Sequence, residues 1–221
     1  MHHQTDVRYR RRRSDALVVG AGLITILVCG TLAHEGRVGR LEASVFHAIN
    51  GLTDAFSPVM RGVQLFGVIM VGPIVAVVAL VFRRSRLAAA AALVTIGKLL
   101  AERTVWQFVE RERPGTTIPD AIVRGDTPLT GVSFVSGHVI LLVGLAWVVA
   151  PYLRGRWRVV PWLVVALVAF ARIYLGAHAP LDVVGGVAVG LLVGGAANLI
   201  AGVPERPMSR AHDRHHGASV R

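Results

Sequence analysis

The feature that most constrains this chain is a series of apolar runs about 20 residues long, the length a helix needs to cross the hydrocarbon core of a bilayer. Six such spans can be drawn, at residues 16–33, 63–82, 87–106, 134–152, 159–176 and 181–203. The first two carry no formal charge, and each of the other four holds ionisable residues. With 53% hydrophobic and only 17% charged residues in 221, the composition exceeds what a water-facing surface tolerates. The expected fold class is all-α: a polytopic membrane protein with six transmembrane helices and an amphipathic interfacial helix between the first and second.

A formal charge of +11 is compatible with nucleic acid, but the basic residues come as short clusters between long uncharged runs. That is the pattern of membrane topology, so no nucleic-acid partner is expected. Cytoplasmic loops collect Lys and Arg. Such clusters recur at Arg8 and Arg10 to Arg13, at Arg83, Arg84 and Arg86, at Arg154, Arg156 and Arg158, and in the tail at Arg206, Arg210, Arg214 and Arg221. They fall at alternate ends of the spans, which predicts both termini in the cytoplasm. A signal peptide is the competing reading of residues 8–33, but no convincing small-residue cleavage site follows, so a retained first helix is expected. The lone cysteine, Cys29, lies within that helix and offers neither a disulfide framework nor a thiolate zinc site.

These signals divide the chain into a basic cytoplasmic segment, 1–15, a membrane domain, 16–203, and a polar tail, 204–221, expected to be disordered. Between spans, residues 41–60 place Val45, Ile49, Leu52, Phe56 and Val59 at helical spacing, which suits an amphipathic helix on the outer interface. Residues 107–133 read as a polar outer loop. Trp106, Trp157 and Trp162 suit an interfacial belt, and His212, His215 and His216 suit a solvated tail better than a metal site. Gly186, Gly190 and Gly194, four apart, point to close helix packing in the last span.

Ionisable residues inside spans are costly, and here they gather toward the outer ends. Ser136-Gly137-His138 opens the fourth span, where free backbone N–H groups favour an anion. Arg172, His178 and Asp182 form a second block. Pro180 suits the first helical position of the sixth span, bringing Asp182 within reach of the His178 ring. A carboxylate holding one ring nitrogen leaves the other free to attack. Arg111 and Arg113, ahead of Pro114, add guanidinium groups suited to phosphate oxygens. Counting 1.5 Å per residue along the fourth and fifth spans returns Arg172 and His178 to the level of His138.

These blocks, at 106–114, 135–138 and 171–182, resemble the signatures KxxxxxxRP, PSGH and SRxxxxxHxxxD of the type 2 phosphatidic acid phosphatase family, which is related to the vanadium haloperoxidases. The resemblance runs from the third span onward and implies a six-helix membrane lipid phosphatase needing no metal or other cofactor. By the family's roles, His178 is the nucleophile that forms a phosphohistidine, Asp182 its orienting partner and His138 the general acid. Arg113, Arg172, Ser136 and Gly137 hold the phosphoryl oxygens. Trp106, Val135 and Ala171 stand where the signatures have lysine, proline and serine. Lys98, Arg103 and Arg111 are all candidates to compensate for the lysine, and the sequence does not choose among them. Lys98 and Glu102, four apart, fit an internal ion pair equally well.

The expected partners are membrane lipids and a lipid phosphate or diphosphate substrate: undecaprenyl diphosphate, phosphatidylglycerophosphate or phosphatidate. The site is expected to face outward, and the preference for arginine over lysine, with abundant Ala, Gly and Val, points to a high-GC bacterial source and an inner membrane. Two rival readings share these residues. A catalytically inactive lipid-phosphate-binding relative would explain Trp106, and a small transporter would explain charges within spans, although no duplicated halves are visible.

Overall fold

The computed structural model describes residues 9–205. In chain order they form β1 (Tyr9–Arg10), α1 (Arg13–Ala33), α2 (Arg40–Asn50), α3 (Ser57–Gln64), α4 (Val71–Val81), α5 (Ser85–Trp106), α6 (Pro114–Thr117), α7 (Gly137–Val149), α8 (Val160–Tyr174), α9 (Pro180–Ala201) and β2 (Val203–Pro204). The surface of this bundle is apolar. Leu17, Ile24, Leu27 and Leu32 on α1, Ile74, Val77 and Val81 on α4, and Leu163 and Leu167 on α8 are all exposed. Side chains of that kind in contiguous bands suit lipid as the surrounding medium.

Helix α9 is the axis of the bundle, packed against α1, α5 and α7. Close approach is possible because small residues line its contact faces. A Cβ on Gly190 would lie 2.6 Å from Val143 Cβ and 2.8 Å from the Ile140 carbonyl on α7, and one on Gly22 of α1 would lie 2.6 Å from the Ala188 carbonyl. Gly186 and Gly194 face α7 in the same way. In lipid, where apolar surface gains little from helix association, such backbone-to-backbone packing carries much of the stability.

Three helices are long and apolar enough to cross a bilayer alone: α1, α8 with its preceding turn, and α9. The segment expected as one span at 63–82 is instead broken. The chain runs from α3 through a 3-10 turn at Leu65–Gly67, becomes extended at Val68 and continues in α4, with a bend of 59° between the two parts. Pro73 lies in the first turn of α4, where a missing N–H is tolerated. Hydropathy averages over such a break and cannot detect it. Helix α5 has 22 residues but carries four formal charges' worth of side chains at Arg86, Lys98, Glu102 and Arg103, and α7 has only 13 residues, about 20 Å of rise.

Residues 41–60 also differ from a single surface helix. Helix α2 stops at Gly51, and its Phe46 and Asn50 are buried. The Asn50 amide donates to the Ile122 and Tyr174 carbonyls and accepts from Ile122 N–H, tying α2 to the end of α8. The 107–133 loop is equally anchored: Arg124 donates to the carbonyls of Asn50, Leu52 and Tyr174 and pairs with Asp54. At the opposite end of the bundle, β2 pairs antiparallel with β1, so Pro204, expected to begin a disordered tail, lies in register with Tyr9. Arg8 and residues 206–221, including the tail histidines and arginines, lie outside the described residues.

The packing at Gly190 is open to a direct check. Gly190→Val is expected to destabilise the bundle by about 1–3 kcal/mol or more, because both obstructing atoms belong to closely packed α7. Gly20→Val, at a position with nothing within 4 Å, is expected to change stability by less than about 0.5 kcal/mol. Equal thermal unfolding of the two variants in detergent would contradict this packing.

Candidate active site

The site is built on the N-termini of α7 and α9, which lie side by side: the Ser136 N–H donates to the Asp182 carbonyl at 3.0 Å. Pro180 is the first residue of α9, and Asp182, two residues on, is fully buried. Its Oδ2 accepts from the Ala179 N–H at 2.8 Å, closing the helix end, and from the Ser133 hydroxyl at 2.5 Å. Its Oδ1 accepts from Arg111 Nη1 at 3.0 Å.

The His178 ring is held through Ser133. Nδ1 lies 3.3 Å from Ser133 Oγ and 3.7 Å from Asp182 Oδ2, so the serine, not the carboxylate, is within hydrogen-bond reach. With the Ser133 proton committed to Asp182, its oxygen accepts from Nδ1–H, an assignment the network imposes. Nε2 is then left with its lone pair. His178 lies in the connection ahead of α9, and burial draws its pKa down to about 4, against the opposing pull of Asp182. The imidazole is therefore neutral at physiological pH.

Around this ring the structure brings together most of the residues singled out by sequence. Arg113 donates from Nη1 to the Ala177 carbonyl, one residue before His178, and Arg172 donates to Gln64 on α3. Burial lowers the Arg113 pKa, while the carboxylates of Asp182 and Glu102 raise it. His138, in the first turn of α7, packs edge-on against Gly67: a Cβ there would sit 2.7 Å from the ring. Arg172, His178, Lys98 and Arg113 all lie close enough for their charges to act on it. Arg111 Nε, Arg113 Nε, Arg172 Nε and Ser136 Oγ are buried donors with no hydrogen-bond partner among the described residues. Buried donors left unpaired in the residues around a helix N-terminus suit an anion, and these residues are the candidate cradle for one.

The three candidates for the missing lysine separate clearly. Arg111 is fully buried, with one terminal nitrogen on Asp182 and the other on Glu42 Oε2 at 2.6 Å; it anchors the orienting carboxylate and has no terminal nitrogen to spare. Glu42 in turn accepts from the Leu181 N–H, so α2 helps to cap α9. Arg103 is exposed and makes no ion pair among the described residues. Lys98 reaches the cradle: its Nζ, 2.6 Å from Glu102 Oε2, is 3.0 Å from where a Gly137 Cβ would be, and Glu102 Oε1 is nearer still. Trp106 is partly exposed at the end of α5. Sequence reading missed Ser133, Glu42 and Gln64. Ser133 and Gln64 sit in the chain as unremarkable polar residues, and Glu42 lies 140 positions from Asp182, so no local spacing links them.

Comparison with known proteins agrees with this geometry. The PAP2 superfamily pattern matches residues 85–203, and the chain belongs to that superfamily. Decaprenylphosphoryl-5-phosphoribose phosphatase of Mycobacterium tuberculosis is 30% identical over 181 residues, covering 79% of this chain and 98% of that protein. Lipid A 4'-phosphatase of Porphyromonas gingivalis is 42% identical over 64 residues, 28% of this chain, and the match spans only 26% of that relative's length. In fold, the chain is similar to LpxE of Aquifex aeolicus, with a TM-score of 0.67 and 21% identity over 72% of this chain and 95% of that one. It is also similar to a transmembrane PAP2-type phosphatidylglycerolphosphate phosphatase of Bacillus subtilis, with a TM-score of 0.62 and 20% identity over 81% and 94%. Its likeness is thus to the membrane-embedded phosphatases of the superfamily.

The role of Arg111 predicts a stability effect independent of activity. Arg111→Met would leave Asp182 and Glu42 buried without their counter-charge, a loss of about 3–5 kcal/mol. The expected result is a collapse of folded yield or melting temperature, whereas Arg103→Met should be silent. A stable Arg111→Met protein would remove the anchor assigned here.

Proposed function

We propose that the chain is a membrane lipid phosphatase that works through a phosphohistidine, and the observation that carries this reading is the His178–Ser133–Asp182 chain set among His138, Arg113, Arg172 and Ser136. His178 Nε2 attacks phosphorus in line while the bond to the leaving oxygen breaks, and His138 gives that oxygen a proton. Arg113, Arg172, Ser136 and the free N–H groups of α7 stabilise the equatorial oxygens. His138, now deprotonated, accepts a proton from water, which attacks the phosphohistidine and releases inorganic phosphate and free His178. No step calls on a metal ion.

The substrate favoured by this reading is a polyprenyl lipid ending in a phosphomonoester, supported by the relative that is matched over nearly its whole length and named for such a compound. Undecaprenyl diphosphate, phosphatidylglycerophosphate and phosphatidate are the other members of a test panel. The bent α3–α4 pair, α5 and α7 would complete six crossings, with the site facing outward from a bacterial inner membrane and both ends of the chain in the cytoplasm.

His178→Ala is expected to abolish phosphate release and phosphohistidine labelling while the protein remains folded, and His138→Ala to lower turnover by about 100-fold or more. Wild-type activity should persist in EDTA and fall with vanadate. Because only neutral His178 attacks, activity is lost as pH falls through its pKa. Once substrate ionisation is corrected for, the acidic limb of kcat/KM should lie near 4, not near 6.5. Labelling that survives His178→Ala would overturn the nucleophile assignment. Absence of labelling in the wild type would favour an inactive binding protein, the reading that Trp106 suggests.

Lys98 takes the part of the absent lysine, with Glu102 as the internal counter-ion that it exchanges for phosphate. Lys98→Met should raise KM for the lipid phosphate about tenfold, and Glu102→Gln should lower KM or the inhibitory concentration of vanadate. Opposite signs for the two substitutions distinguish this exchange from a merely structural ion pair, for which both would weaken the protein alike.

A further inference from the structure

A cavity of about 740 Å³ opens at the end of the bundle opposite the candidate active site, walled by Arg10, Arg12, Arg158, Glu205, Trp147 and Trp162. Helix α9, 22 residues and about 33 Å long, separates it from His178 and Asp182. Its walls are held in place by a second buried carboxylate. Asp15, fully buried, accepts from Arg12 Nε and Nη2 at 3.0 and 3.1 Å, from Trp147 Nε1 at 2.8 Å and from Asn198 Nδ2 at 3.2 Å. Trp147 meets Trp162 edge to face at 6.2 Å. Arg158 is pinned by Nε to the Leu153 carbonyl at 2.9 Å, and its two terminal nitrogens make no hydrogen bond among the described residues. The cavity is a prearranged set of guanidinium donors beside indole rings.

We propose that this cavity binds the phosphodiester headgroup of an anionic phospholipid of the surrounding membrane. Guanidinium groups match phosphate oxygens, and basic pockets between spanning helices are a known chemistry for anionic headgroups. The cavity opens beside lipid-facing surface: Leu17, one turn beyond the cavity-lining Ser14, and Val160 and Leu163, flanking Trp162, are exposed apolar side chains against which acyl chains can lie. The chain's own ends are poor occupants, since residues 1–8 and 206–221 carry five arginines against two aspartates and would bring like charge to the arginines. Among the lining residues there is no histidine, so the phosphohistidine chemistry proposed for the active site has no counterpart in this cavity.

The test uses the full chain in neutral detergent doped with phosphatidylglycerol, with lipid retention measured by native mass spectrometry and thermal shift. Wild-type protein should retain phosphatidylglycerol over phosphatidylcholine. Arg10→Gln with Arg158→Gln should weaken retention about 30-fold, and Arg158→Gln alone about fivefold if the pair does not fold. Arg154→Gln with Arg156→Gln removes the same charge from the same loop outside the cavity and should change retention by less than about twofold. An equal loss from that control pair would mean bulk charge attraction and overturn the site. Inorganic phosphate displacing the lipid at equal concentration would make it a free-anion site and overturn the lipid assignment, as would retention unaffected by Arg158→Gln.

Discussion

The structure depends on the solvation of one buried carboxylate. Asp182 has no exposed surface, and removing such a charge from water costs several kcal/mol unless donors replace the solvent. Four groups do so or stand ready to: the Arg111 guanidinium, the Ser133 hydroxyl, the Ala179 N–H and, at longer range, the His178 ring. They come from three places in the chain, Arg111, Ser133 and the adjoining His178 and Ala179, so satisfying Asp182 fixes the 107–133 loop, the residues ahead of α7 and the turn ahead of α9 relative to one another. Through Arg111 it also recruits Glu42 and thereby α2. The geometry of the candidate site is a by-product of this requirement: once Ser133 gives its proton to Asp182, the tautomer of His178 follows.

Asp15 repeats the arrangement at the other end. It too has no exposed surface, and its donors come from α1, α7 and α9, the three helices that form the close-packed centre. A bundle in lipid cannot rely on the expulsion of water to lock its helices in register, and glycine packing alone permits sliding along the groove. A buried carboxylate at each end, satisfied only when the correct residues are level, supplies the missing axial constraint. The same device accounts for the positions of Arg12 and Trp147 in the wall of the distal cavity.

The parts of this architecture that were legible in sequence are those with a local signature. The positions of α1, α5, α8 and α9 follow from runs of apolar residues and agree with the expected spans to within a few residues at each end. Ser136, His138, Arg172, His178 and Asp182 were marked by spacing, and they converge. What sequence did not disclose depends on partners far along the chain. Ser133 matters because of Asp182, 49 positions later, and Arg124 because three carbonyls from two separate segments point at it. Arg111 read as a phosphate ligand because an arginine two residues from Arg113 looks equivalent to it; spacing cannot show that its terminal nitrogens are already committed to Asp182 and to Glu42, which lies 69 positions earlier. The break at 65–70 escaped because its residues are as apolar as those around it, and composition is blind to a change of direction.

The charge balance of the cradle gives the substitution at position 106 a physical sense. Arg113 and Arg172 are held by one terminal nitrogen each, to Ala177 and Gln64, and neither has a carboxylate as its direct partner. One buried and one half-buried guanidinium group beside a helix N-terminus already provide a positive pocket, and a third uncompensated cation would add repulsion that a bound anion relieves. Lys98 enters that pocket accompanied by Glu102 on the same helix face, one turn away. On the proposed exchange, the pair adds no net charge until an anion draws the ammonium across, and the pocket gains a third cation only when phosphate is bound. A lysine at 106, at the exposed end of α5, would instead rely on water for its solvation. Lys98, eight residues earlier on the same helix, has Glu102 as an internal partner in place of hydration, which is what the proposed role asks of a lysine within the bundle.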